Sequence, residues 1–299
     1  IEANPGNLDA EMLTILQDAG VDRISLGYQS GETEALREAG RSAGAGYGRR
    51  ALQLLSDRWQ GRFSVDLMIG LPGQTPRGVR EDILLAAAAG AEHLSVYELT
   101  VEDGTPLDAA VRERRVVLPA EEIAEELWDT VLDACAEVGL KRYEVSNWAK
   151  PGGECRHNQN YWRGGAWIGA GPSGVSSLPL ADGGTLRIPE TKDHTAFLLD
   201  AGAEAVEEDI PPSTAAFEAI MTAFRTREGL DAGAFTERFG LAPVDLLDRT
   251  FSRWRRYLRT GARGPAPTDR LMDVLNPFLV DCMRELERSY PGPRPVQGG

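Results

Sequence analysis

The sequence predicts an α/β protein, a (β/α) barrel of parallel strands followed by a small helical C-terminal domain. Three observations predict it. Strand-like runs alternate with helical patterns up to about residue 150, which is the signature of parallel strands joined by right-handed crossovers. The strands end in polar residues, which a parallel barrel gathers on one rim. Beyond about residue 178 the alternation stops and helical patterns take over.

The chain opens on "IEANPG", a β-branched residue, a carboxylate and a turn, which reads as the end of a strand. "EMLTILQDAG" (11–20) has helical apolar spacing and a Gly stop, and "VDRISLGYQS" (21–30) has strand composition. "GRRALQLLSDRW" (48–59) is helical, and "FSVDLMIGLPGQT" (63–75) is a strand running into a Gly/Pro loop. "RGVREDILLAAAAG" (77–90) is a helix and "AEHLSVYELTVEDGT" (91–105) a strand and loop. "AEEIAEELWDTVLDACAEVGL" (120–140) is a long helix and "KRYEVSNWA" (141–149) a strand. The strands read as near-continuous apolar runs, as expected when both sheet faces are covered. The barrel is assigned residues 1–178, a Gly/Pro-rich acidic connector 179–212, and a helical domain 213–290 with helices at 214–230, 231–240, 243–259 and 273–290. Residues 291–299 read as a tail.

Composition narrows the function. With 42% hydrophobic and 26% charged residues the chain is globular in type. No apolar run approaches the roughly 18 residues that span a bilayer. A net charge of −14 opposes nucleic acid as a partner. Cys135, Cys155 and Cys282 are too widely spaced for a disulfide framework or a metal clamp, so no metal ligand is assigned and a cytoplasmic location is expected.

Four stretches carry a resemblance: "IEANP" (1–5), "RISLGYQS" (23–30), "VDLMIGLPGQT" (65–75) and "HLSVYELTVEDGT" (93–105). In order and spacing they resemble the radical S-adenosylmethionine (radical SAM) family of the oxygen-independent coproporphyrinogen III oxidase type. The resemblance implies two further barrel strands and a Cys-x-x-x-Cys-x-x-Cys loop for a [4Fe–4S] cluster ahead of "IEANP". On that expectation the barrel is incomplete and the chain N-terminally truncated, with the cluster ligands absent from it. By motif position the resemblance implies that Glu2, Gln29, Arg41, Asp66 and Thr100 contact S-adenosylmethionine. Their chemistry suits it, because carboxylates accept from an ammonium or a ribose diol and Arg pairs with a carboxylate. Read from the residues alone, a helix cap or a surface ion pair is the favoured role for Glu2 and Asp66. No catalytic residue is assigned.

"HNQNYW" (157–162) resembles the heme chaperone (HemW) branch of that family. His157 could supply an axial nitrogen, and Tyr161 and Trp162 flat apolar rings, so His157, Asn158, Tyr161 and Trp162 form the candidate heme site. The competing reading is a buried His bonded to backbone with its aromatic neighbours in the core. The branch implies a protein that binds heme and S-adenosylmethionine and delivers heme to acceptor hemoproteins, respiratory ones among them. Two alternatives stand beside it: radical decarboxylation in porphyrin biosynthesis, and a heme-binding module without radical chemistry. "FSRWRRYLR" (251–259) reads as a basic aromatic helix with a solvated face.

Overall fold

The structure is a computed structural model that describes residues 1–41, 45–199 and 206–290; the tail read at 291–299 lies outside them. The chain divides into two units, Ile1–Glu154 and Cys155–Gly299.

In the first unit the elements run β1 (Glu2–Ala3), α1 (Ala10–Asp18), β2 (Arg23–Gln29), α2 (Thr33–Glu38), α3 (Ala45–Arg58), β3 (Arg62–Ile69), α4 (Pro76–Ala88), β4 (His93–Glu98), α5 (Pro106–Arg112), α6 (Glu121–Glu137), β5 (Lys141–Glu144) and β6 (Asn147–Ala149). Asp9, Thr75 and Thr105 cap α1, α4 and α5 by accepting a backbone N–H two or three residues inside each helix. The six strands make one sheet in the order β1-β2-β3-β4-β6-β5. β1 to β4 are parallel neighbours.

The sheet is two-faced. Ile24, Leu26, Val65, Leu67, Leu94, Val96 and Trp148 point to one side, where Leu52 and Leu55 of α3, Ile83 of α4 and Val131 of α6 close a buried core. Residues in the alternate positions point to the other side and are polar: Ser25 on β2, Ser64 and Asp66 on β3, His93 and Ser95 on β4, Asn147 on β6. This corrects the expectation of strands apolar on both faces. "FSVDLMI" alternates with period two, and its Ser64 and Asp66 face away from the core helices, while Met68 near the strand end packs against Ala35, Leu36 and Ala45 of α2 and α3.

A second correction concerns 141–149. This stretch is a hairpin, with β5 antiparallel to β6 and β6 antiparallel to β4. Arg142 donates to the Val145 carbonyl inside the turn.

The second unit holds α7 (Arg156–Trp162), β7 (Val175–Pro179), β8 (Thr185–Pro189), α8 (His194–Leu198), β9 (Glu208–Ile210), α9 (Pro212–Ala223), α10 (Ala232–Phe239), α11 (Pro243–Leu246), α12 (Asp248–Trp254), β10 (Leu258–Thr260), β11 (Pro265–Pro267), α13 (Asp269–Asp273) and α14 (Leu275–Ser289). The stretch read as a connector at 179–212 contributes β8 and β9 to an antiparallel three-stranded sheet with β7. The helix read over 243–259 is two short helices and a strand; the basic stretch leaves the helix at Trp254 and enters the β10–β11 hairpin. Trp254 donates its indole N–H to Asp281 at 2.8 Å, which ties α12 to α14.

Candidate functional site

The polar sheet face gathers groups from every parallel strand. Glu2 on β1 is in register with Ser25. Ser25 donates to both carboxylate oxygens of Asp66 at 3.0 Å, and its Oγ lies 2.7 Å from that of Ser64. Burial raises the Asp66 pKa above the usual carboxylate range; hydrogen bonds from Ser95 and Ser25 oppose that, and the charge of Glu2 adds to it. Two acids therefore sense each other on a face with serine donors between them. His93 closes the row: its Nε2 lies 2.8 Å from the Tyr143 hydroxyl, and burial, with Arg23 nearby, lowers its pKa to about 3. This imidazole is neutral.

Gln29 ends β2 in the left-handed region, φ +66°. Its amide stands over Gly27, where a Cβ would lie 3.1 Å from Gln29 Nε2 and 3.7 Å from Asn4 Oδ1 and from the Ala3 carbonyl. The absent side chain leaves a cradle on the polar face bordered by Asn4 and Gln29.

The loops after the strands are pinned from below. Gln74 of "GLPGQT" is buried, accepts from Leu71 N at 3.2 Å and donates to the Met68 carbonyl at 2.9 Å. Glu32 accepts from the backbone and hydroxyl of Thr75, at 3.1 and 2.9 Å. Asp82, buried with a raised pKa, accepts from Gly31 N at 2.7 Å and from the Tyr28 hydroxyl at 3.1 Å. Sequence reasoning missed Glu32, Gln74 and Asp82. "GLPGQT" was the one signal, and its polar member holds the loop's backbone.

The structure thus brings Glu2, Gln29 and Asp66 onto one face. Arg41, which follows α2, and Thr100, which follows β4, are exposed and make no side-chain hydrogen bond to that face among the described residues.

In the second unit, α7 carries "HNQNYW". His157 is exposed, not buried, which removes the buried-His reading. Spacing of i, i+4 sets it against Tyr161, ring centroids 4.7 Å apart and edge-on. Tyr161 meets Trp167 in the same way, also at 4.7 Å. Asn158 is half-buried. Trp162 turns inward, with the Arg225 guanidinium 5.0 Å from its ring. The candidate heme residues are therefore split between an outer column, His157–Tyr161–Trp167, and an inner wall at Trp162.

Of the cysteines, Cys155 precedes α7 directly, while Cys135 lies on α6 and Cys282 on α14. Burial pushes the Cys135 thiol up to about 12 and raises that of Cys282 as well. Among the described residues, no set of three or more His, Cys, Asp and Glu side chains is placed to hold a metal ion. No helix among them is long and apolar enough to cross a membrane.

Comparison with known proteins bears on both units. The radical SAM superfamily model matches residues 1–86, and the HemN C-terminal domain model residues 210–261. The chain is 34% identical over 241 residues to the heme chaperone HemW of Escherichia coli, covering 81% of this chain and 62% of that protein. It is 31% identical over 243 residues to that of Bacillus subtilis, covering 80% and 63%. A mouse relative, the mitochondrial radical S-adenosyl methionine domain-containing protein 1, is 35% identical over 188 residues, covering 62% and 42%. The chain spans about three fifths of the length of the HemW relatives. In fold it matches the structure of coproporphyrinogen III oxidase (HemN) from Escherichia coli, TM-score 0.73 at 16% identity, covering 97% of this chain and 69% of the other. Residues 1–86 thus match a radical SAM domain and residues 210–261 a HemN C-terminal domain, and the chain is similar in sequence to the heme chaperone HemW proteins and in fold to HemN.

Proposed function

We propose that the chain is a heme chaperone-like radical SAM protein. It binds heme at α7, binds S-adenosylmethionine on the polar face of the six-stranded sheet, and passes heme to acceptor hemoproteins in the cytoplasm, respiratory ones among them. The observation that carries the heme part is the exposure of His157 beside two edge-on rings, Tyr161 and Trp167. Axial ligation needs an accessible imidazole nitrogen, and a macrocycle needs flat apolar partners. An exposed ligand also suits a carrier, which must release its cargo.

The donor set of the sheet face fits S-adenosylmethionine. Glu2 and Asp66 offer carboxylates to its ammonium or ribose diol and a negative potential to its sulfonium, and Gly27, having no Cβ, lets the amide of Gln29 and the side chain of Asn4 come close to the strand as further polar contacts. Bound there, the cofactor supplies the one-electron chemistry of its sulfonium. The serines around Asp66 orient its carboxylate, and the neutral His93 adds no further positive charge beside Arg23. Arg41 and Thr100 are assigned outer contacts. A [4Fe–4S] cluster, which the family also implies, does not fit the cysteines described: Cys135 and Cys282 are buried with raised pKa values in different units, and Cys155 precedes α7 without a second cysteine beside it in sequence.

The test is transfer. The chain is loaded with hemin, mixed with an apo-hemoprotein such as apomyoglobin, and followed by the shift of the Soret band. Transfer faster than from free hemin, and lost in His157→Ala, supports the reading. A chain that never retains hemin through gel filtration contradicts it.

A further inference from the structure

Behind α7 the second unit encloses a cavity of about 690 Å³, within the roughly 300–1,000 Å³ range of small-molecule sites. Trp162, Phe235 and Phe239 give it apolar walls, and Gly164 and Gly261 let the backbone run close along it. Its remaining lining is unusual for a chain of net charge −14: Arg163, Arg227, Arg238, Arg259 and Arg263, against the acids Glu228 and Asp231.

These cations are not equally engaged. Arg163 is paired bidentately with Glu228, and Arg227 with Asp269 at 2.6 Å. Arg259 is held by the carbonyls of Pro267 and Arg227. Arg263 has one long contact to Asp231, at 3.4 Å, and is largely exposed. Arg238 is anchored by the Gly184 carbonyl and the Thr185 hydroxyl, while its Nε is buried without an acceptor among the described residues. The same holds for the Trp162 indole N–H and for Nε of Arg225, stacked on that indole. Three buried N–H donors lacking acceptors, two of them on residues of the cavity wall, are what a site for an anionic oxygen ligand keeps in reserve.

From these features the geometry points to a binding site for a flat apolar dicarboxylate, a metal-free porphyrin being the nearest probe, with its rings against Trp162 and Phe235 and its carboxylates on Arg238 and Arg263. Guanidinium forks match carboxylates bidentately, and burial makes Arg238 the stronger partner. The inference deepens the heme reading, on which its choice of ligand rests, but this site needs no iron and does not use His157. A carrier would then have two holds on one kind of cargo, an axial ligand on the outer face of α7 and a carboxylate clamp behind it.

The experiment titrates the full 299-residue chain with protoporphyrin IX lacking iron and, in parallel, with its uncharged dimethyl ester, following tryptophan quenching. Binding of the acid at least tenfold tighter than of the ester is expected. R263Q should weaken acid binding several-fold. R238Q should weaken it further, and A234W, which fills the cavity without removing an arginine, should abolish it at unchanged circular dichroism. H157A should leave it intact. Equal binding of acid and ester, or full binding by folded A234W, overturns the proposal. Loss of hemin ligation in none of the variants would instead count against the α7 heme site, with the porphyrin result standing.

Discussion

Asp66 is the residue on which the cofactor proposal turns, and its environment makes a signed prediction. Its folded pKa is raised, so part of the population is protonated at mildly acidic pH, and binding a cation there favours the ionised form. Affinity for S-adenosylmethionine should therefore rise with pH from the carboxylate range toward neutrality and then level. Asp66→Asn should flatten that dependence and cost about 1.5–3 kcal/mol, one charge-assisted hydrogen bond; calorimetry across pH checks both. His93 predicts a pH dependence of stability rather than of binding. Its pKa is about 3 when folded against an ordinary 6.5, so the unfolded chain takes up a proton first as pH falls. Stability from this group is complete above pH 6.5 and declines as pH drops from there toward 3. His93→Gln should shallow the fall of urea midpoints over that window.

These residues differ in how far they could be read from sequence. Glu2 and Asp66 were legible through motif position in "IEANP" and "VDLMIGLPGQT", since from the residues alone each could be a helix cap or a surface ion pair. The face itself was misread, since Met68 and the small serines made "FSVDLMI" look apolar throughout. Gln74, Glu32 and Asp82 were not legible as loop anchors, because their partners are backbone and hydroxyl groups set by tertiary folding. Trp162 was legible as an aromatic wall, whereas the arginines around it come from four separate stretches and meet only in the folded unit.

At the scale of elements, the loops after β2 and β3 are held by the buried Asp82 and Gln74 and the half-buried Glu32, and this should show in stability. A Cβ at Gly31 would lie 2.2 Å from Asp82 Oδ1 and 2.9 Å from the Tyr28 hydroxyl. Gly31→Ala should therefore break the Asp82 network and lower the melting temperature by more than Gly73→Ala, where the added methyl meets open space but the backbone has φ +69°. Gln74→Ala leaves the Leu71 N–H and the Met68 carbonyl unsatisfied, at about 1–3 kcal/mol. Two elements escaped the sequence for physical reasons. The β5–β6 turn at Val145–Ser146 contains no Gly, Pro or Asn, so nothing interrupts "KRYEVSNWA". β8 and β9 are five and three residues long and set among glycines and acids, below what periodicity can detect.

At the scale of the whole molecule, the division at Glu154/Cys155 puts the polar sheet face in one unit and both features proposed to take a porphyrin, the α7 column and the arginine cavity, in the other. Two ligands, one in each unit, then predict two independent stabilisations: S-adenosylmethionine should protect the first unit in hydrogen exchange, and hemin the second. The chain on its own should hold no stoichiometric [4Fe–4S] cluster after anaerobic reconstitution, since Cys135 and Cys282 are buried as protonated thiols in different units; iron analysis giving about four irons per chain, lost on mutating any one cysteine, would contradict this.

The central claim is that α7 presents a heme ligand, and hemin titration of His157→Ala tests it most directly. His157 is exposed and meets Tyr161 edge-on, so its removal should leave far-UV circular dichroism and the melting temperature nearly unchanged. The Soret band should shift and hemin affinity fall by at least tenfold. Trp162→Ala is the control: it loses a ring from a packed wall and should lower the melting temperature whichever way heme binds. A His157→Ala chain that is fully folded and keeps the parent Soret spectrum and affinity would contradict the account.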